Sequence, residues 1–283
     1  MITQYYNKLT KPIRDSKIAA ILESIDTTKI FPADTEFNFK ERLIVKNELV
    51  SQFIPWVGKF LTGLETFSHK YIANGNSDAL NMLFMKRDFK RICFLKNEYS
   101  YYSHLCKALN IEYIEVDLLD LSLLSNTDLF LISLPSSYDG SSVDRIELIN
   151  QLQQLKIPVF IDVAYCGLTE PFYLNLISTS NTYLAFTFSK SSSLAFNRIG
   201  IMFSSSEIPG LEIMNKIGYV NLSGANTAVA IMKSIPVDYF YTTYYNQYFE
   251  ICQSQNITPT KCILFGHDQN NDKFCTTPYY KTT

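Results

Sequence analysis

The chain has 283 residues, 47% of them apolar and 18% charged, with a formal net charge of −2. Such a chain can bury one large core, and its near-neutral charge argues against a nucleic-acid groove or a surface built for acidic lipids. No apolar run reaches the roughly 20 residues of a membrane helix, and the first residues lack a hydrophobic signal core, so a cytoplasmic protein is expected.

Residues 1–50 are polar and read as an N-terminal arm leading into a helix from about Glu41 to Phe53, stopped near Pro55. From Lys70 the pattern becomes strand, turn, helix, repeated. Strands are predicted at 70–73, 91–95, 111–116, 129–133, 158–162, 184–187 and 200–203, with helices over 79–85, 100–109 and 144–155. Continuous apolar strands separated by helices give an α/β fold, a mostly parallel seven-stranded sheet covered on both faces. A long helical stretch follows over 211–233, interrupted by Gly218 and Gly224. Beyond it come a tyrosine-rich helix from Asp238, a possible strand at 262–265 and a polar tail. The chain thus divides into 1–50, arm and helix; 51–235, a large domain; and 236–283, a small α+β domain. Six scattered cysteines without CxxC spacing predict reduced, mostly buried thiols, and three histidines form no ligand pair, so no metal site is expected.

In such a sheet ligands sit at the carboxyl ends of the strands, and the chemically suggestive residues lie there. Thr187-Phe188-Ser189-Lys190 follows the apolar run 183–186, with Arg198 eight residues later before Ile199-Gly200. A partly desolvated lysine can condense with an aldehyde. The hydroxyls of Thr187 and Ser189 and the Arg198 guanidinium suit a phosphate. An isolated Ser-Lys-Ser is more often a solvated turn, so the other strand ends matter. Gly75-Asn76-Ser77 opens a helix, where backbone N–H groups and the dipole favour an anion, although Asn-Gly turns are common. Asp162 ends an apolar strand and would be costly to bury without a partner; Tyr165 is three residues on. Tyr99 lies just beyond a strand and is either a packing residue or a stacking platform, with Tyr102 the weaker alternative. Ser137 lies in Leu134-Pro135-Ser136-Ser137-Tyr138-Asp139-Gly140, after another strand.

Taken together these residues resemble the fold-type I pyridoxal-phosphate enzymes, specifically the class I/II aminotransferases. Their lysine motif reads S/T-x-S-K-x-x-x-x-x-x-x-R-x-G, and Thr187, Ser189, Lys190, Arg198 and Gly200 fall on it. The resemblance covers about residues 65 to 235 and implies the three-layer aminotransferase-like fold with pyridoxal 5'-phosphate as a Schiff base on Lys190. It further implies Gly75, Asn76 and Ser77 as part of the phosphate cup, Tyr99 stacked on the pyridine ring, and Asp162 paired with the ring nitrogen as an electron-sink anchor. Tyr165 and Ser137 would reach the O3′ oxygen, Ser137 standing where the family's Asn-Pro-x-Gly loop carries asparagine. Lys190 would be the general base and acid, with Asp162 and Tyr165 as catalytic partners. An amino acid or related amine substrate and a homodimer, whose N-terminal arms reach over the partner, are also implied.

The sequence departs from the family at the substrate end. Ordinary members grip the substrate carboxylate with an arginine in the small domain, yet no arginine follows Arg198, and the sequence ends within about 85 residues of it. Lys233, Lys261, Lys273, His267, Arg14 or Arg42 are candidate substitutes. Three readings stay open: an aminotransferase, a same-fold lyase, cyclase or decarboxylase, and a non-catalytic subunit on the same fold.

Overall fold

The structure is a computed structural model that describes residues 12–25, 39–117, 121–176, 181–195 and 197–281. The proposed arm at 1–11 and 26–38, Phe196, and the side chains of residues 39–42, including Arg42, lie outside the described residues.

The chain opens with α1 (Ser16–Ser24), capped by Asp15, whose Oδ1 accepts from Ile18 N at 2.9 Å. Then come α2 (Phe39–Val57), β1 (Leu61–Thr62), β2 (His69–Ala73), α3 (Asn76–Met85), β3 (Arg91–Leu95), α4 (Tyr101–Ala108), β4 (Tyr113–Val116) and β5 (Asp128–Ser133). The chain continues through α5 (Val143–Gln154), β6 (Val159–Asp162), β7 (Leu174–Asn175), β8 (Thr182–Thr187), α6 (Phe188–Ser191), β9 (Gly200–Ser204), α7 (Pro209–Lys216), α8 (Leu222–Ser234) and α9 (Tyr239–Ser254). The last elements are β10 (Thr258–Pro259), β11 (Phe265–His267) and β12 (Lys273–Cys275).

Seven strands form one sheet in the order β2-β9-β8-β6-β5-β3-β4. Only β9 runs against its neighbours, because Gly200 pairs with both Ala73 and Thr187 in antiparallel registers. The carboxyl ends of β2, β8, β6, β5 and β3 therefore lie along one edge. The central strands β5, β6 and β8 are buried at every position, which is why they read as unbroken apolar runs rather than alternating ones. Successive residues point to opposite faces. Phe130, Ile132, Ile161, Leu184, Phe186 and Phe203 join one core, while Leu129, Leu131, Phe160, Tyr183, Ala185 and Met202 join the other.

The first core centres on Phe53 of α2, fully buried, whose ring lies 4.9 Å from Phe186 and 5.7 Å from Phe203. Trp56 donates to Ile235 O at 2.8 Å and ties α2 to the end of α8. Phe53→Ala is expected to cost about 3–5 kcal/mol, read as a lower midpoint in urea with an unchanged slope. A loss below about 1 kcal/mol would contradict this packing role.

The predicted strands and their order stand, with local differences. Pro55 lies inside α2, which ends two residues past it, about half a turn beyond the predicted stop. The 211–233 stretch is two helices. Gly218, at φ 69°, takes the left-handed turn that ends α7. Gly224 instead sits in the first turn of α8, capped by the Asn221 side chain. At the C-terminal end the strand is 265–267, flanked antiparallel by β10 and β12, and Cys262 makes only an isolated bridge to Thr169. The six cysteines are free and buried. Among the described residues no group of side chains could hold a metal, and no helix is long and apolar enough to cross a membrane.

Candidate active site

A cavity of about 400 Å³ opens along the strand-end edge. Its walls include Asn76, Ser77, Tyr99, Ser137, Asp162, Tyr165, Thr187, Ser189, Lys190 and Arg198, so the side chains named from the sequence converge on one space. Gly75 lies at its margin.

Asp162 is the last residue of β6 and is 6% exposed. Its Oδ1 accepts from Asn76 Nδ2 at 2.5 Å and Ala164 N at 3.0 Å, and its Oδ2 from the Tyr102 hydroxyl at 3.3 Å. Burial pushes this carboxyl up to about 6, and Glu98 adds repulsion, while the Asn76, Ala164 and Tyr102 donors pull the other way.

The phosphate-suited end is built from three segments. Gly75 caps α3 at φ 90°, and a Cβ there would lie 2.9 Å from an Arg198 guanidinium nitrogen and 3.3 Å from Thr187 Oγ1. Only glycine keeps that space open. The first N–H groups of a helix have no partner within it, so α3 presents donors to this gap. Thr187 caps α6 by accepting from Ser189 N at 3.2 Å. Arg198 Nη1 donates to Ser189 Oγ at 3.2 Å and Nη2 to Asn74 O at 3.0 Å. Arg198 holds a left-handed backbone at φ 44°, a conformation that costs a non-glycine residue of order 1–3 kcal/mol. Asn221 supports that turn, donating to the carbonyls of Asn197 and, at 3.3 Å, Arg198.

Lys190 sits on α6, a single turn directly after β8. Burial pushes its amine below the usual lysine value, and nearby Arg198 acts in the same direction. A second lysine enters the cavity from β12: Lys273 Nζ donates to Ser137 O at 2.7 Å, and lies 3.6 Å from the Phe265 ring centroid and 5.5 Å from that of Tyr165. Burial lowers it to about 8, and Lys190 adds to the effect.

Tyr99 stands at the cavity wall with its ring 5.7 Å from Tyr102, edge to face. Tyr102 is fully buried behind it and turns its hydroxyl to Asp162, so the weaker stacking alternative is in fact a support for the aspartate. Asn76 likewise turns its amide to Asp162 and to Ala185 O at 2.9 Å, not into the phosphate gap; only its backbone remains for an anion. Tyr165 packs edge to face on Phe265.

Glu98 is a cavity residue the sequence reading missed. Its side chain is 0% exposed, is paired with Arg145 of α5, and accepts from Ser133 Oγ at 2.5 Å and Ser137 Oγ at 3.3 Å. It locks the 134–140 loop onto the ends of β3 and β5. Among the proposed substitutes for the absent arginine, Lys233 pairs with Glu48 at 2.7 Å and Lys261 with Glu170 at 3.0 Å. His267 Nε2 lies 3.1 Å from Tyr138 O, and Arg14 is exposed. Of these, Lys273 alone lines the cavity.

Residues 73–246 match the family Aminotransferase class I and II. No curated protein matches the chain by sequence. In fold it is similar to histidinol-phosphate aminotransferase from Sinorhizobium meliloti in complex with pyridoxal-5'-phosphate, at 17% identity and a TM-score of 0.66, covering 92% of this chain and 73% of that one. It is also similar to a probable N-succinyldiaminopimelate aminotransferase from Thermus thermophilus, at 13% identity, TM-score 0.64, and 92% and 77% coverage. L-threonine-O-3-phosphate decarboxylase from Porphyromonas gingivalis shares the fold at 13% identity, TM-score 0.55, and 82% and 81% coverage. The family match spans more than half of the chain and takes in the strand ends from Asn74 to Arg198, and the chain accordingly belongs to the class I and II aminotransferases, a family of pyridoxal-phosphate-dependent enzymes.

Proposed function

We propose that the chain is a cytoplasmic, homodimeric aminotransferase that holds pyridoxal 5'-phosphate on Lys190 and takes its amino group from an amino acid. The observation that carries this reading is the meeting, in one cavity, of a half-buried lysine with lowered proton affinity and a buried aspartate. The residues present fit the cofactor. The gap over Gly75 is kept open for a group that binds the α3 N–H donors, and Ser77, Thr187, Ser189 and Arg198 add hydroxyl and guanidinium donors suited to phosphate. Asp162 supplies an anion for the ring nitrogen, Tyr99 a face for the ring, and Ser137 and Tyr165 polar groups for its oxygen. A non-catalytic subunit has no use for a desolvated lysine aimed into such a cavity.

When bound, the cofactor supplies a cationic conjugated ring that withdraws electrons from the substrate's α-carbon. Lys190, whose proton affinity burial lowers, takes the proton from that carbon at Nζ as general base. Asp162 holds a negative charge where the ring nitrogen must stay protonated. The test is a panel of amino acids with a 2-oxo acid acceptor. Formation of the matching new 2-oxo acid supports the reading; release of ammonia or carbon dioxide without it overturns transamination in favour of a lyase or decarboxylase.

Lys273 takes the place of the absent arginine and anchors the substrate carboxylate. An ammonium can lose its proton where a guanidinium does not. Lys273 is lowered from 10.5 to about 8, so its charge, and with it carboxylate binding, is lost as pH rises through that value. KM for the amino acid is therefore expected to climb by about fivefold over the first pH unit above it, and by about tenfold per unit beyond that. In Lys273→Arg the profile should be flat. A wild-type KM that stays level up to one unit above that value would remove Lys273 from this role.

A further inference from the structure

Asp162 is difficult to keep charged in its position. It is 6% exposed, and Glu98, Tyr99 and Tyr102 face it with the amides of Asn76 and Ala164, while Lys190, Arg198 and Lys273 line the same cavity. Glu98 repels its charge. Burying a carboxylate in such a place favours its neutral form.

Two side chains oppose that tendency. Asn76 Nδ2 donates to Asp162 Oδ1 and to Ala185 O, so two acceptors fix the amide with its nitrogen toward the aspartate. The cost is visible at the other end of the same amide, where Asn76 Oδ1 is buried without a hydrogen-bond partner, an arrangement that destabilises a fold unless something else requires it. Tyr102, 0% exposed, sends its hydroxyl to Oδ2. Burial raises the Tyr102 phenol well above its usual value, so it stays a donor across the working pH range. The Ala164 N–H completes the set. Three donors occupy two oxygens that can accept about four bonds, leaving capacity for one further donor from the cavity.

We infer that Asn76 and Tyr102 are positioning residues that hold Asp162 in its ionised form against Glu98 and against burial. The usefulness of an ionised Asp162 rests on the proposed function, whereas its titration in the protein without cofactor does not.

The experiment is an infrared pH titration of the carboxylic acid band of the apoprotein, with Asp162→Asn identifying the Asp162 component. The wild-type midpoint is expected near 6. Tyr102→Phe and Asn76→Ala should each raise it by about one pH unit, a tenfold gain in proton affinity. Glu98→Gln, which removes a like charge, should lower it. Opposite signs in the two kinds of variant are an outcome that general loosening of the site would not produce. If Tyr102→Phe, folded by circular dichroism, leaves the midpoint where it is in the wild type, the inference fails, and this variant decides even if Asn76→Ala does not fold. In the loaded enzyme the same variants should lose kcat at neutral pH and regain it toward higher pH. A wild type that takes up no cofactor would remove the proposed function and leave the apoprotein titration standing.

Discussion

Lys190→Ala is expected to lower the rate of amino transfer by about 10⁴-fold or more, because in the proposed function one side chain both holds the cofactor and moves the α-proton. The structure gives the reason that no neighbour replaces it. Arg198 carries a guanidinium that cannot serve as a base at neutral pH. Lys273 is the other amine in the cavity, but its Nζ is engaged with Ser137 O at 2.7 Å and seated against Phe265. The assay is single-turnover conversion of a donor amino acid, with circular dichroism to show that the variant folds. A loss below about tenfold would mean that proton transfer does not pass through Lys190.

Asp162→Asn is expected to cost about 10³-fold in kcat, the scale on which a single preorganised electrostatic contact acts in a water-poor site. The substitution keeps the size and shape of the side chain and removes its charge. One amide oxygen can still accept from Ala164 N or from Asn76, so the local fold should survive, and cofactor uptake at saturation should persist because the phosphate contacts are elsewhere. The loss should therefore appear in kcat with the cofactor bound. Retention of more than about a tenth of wild-type kcat would show that the charge of Asp162 is not used.

Much of this was legible in the sequence because the governing signals are local. The runs at 129–133, 158–162 and 184–187 are apolar throughout because β5, β6 and β8 are buried on both faces, and helical segments between them left a parallel sheet as the simplest solution. The cavity residues were legible for a related reason: strands running the same way bring their carboxyl ends to one edge, so the residues just past those ends meet. What escaped are contacts between segments far apart in sequence. Glu98 reads as one more surface acid between a strand and a helix, and only the register of β3 beside β5 puts it under Ser133 and Arg145. Asn76 opens a helix, a position that points to the phosphate side. Its side chain crosses instead to a residue 86 positions later. Lys273 was one of several candidates, and the antiparallel pairing of β11 with β12 singles it out by turning its amine over Phe265 into the cavity. The stop near Pro55 was legible to within two residues, since α2 ends at Val57.

In the proposed function Lys190 is the residue that holds the cofactor. Incubating the purified protein with pyridoxal 5'-phosphate, reducing with borohydride and mapping the digested peptides by mass spectrometry tests it directly. One modified peptide is expected, carrying the pyridoxyl-phosphate mass on Lys190. A protein that takes no label, or that carries it on Lys273 with Lys190 unmodified, would contradict the assignment.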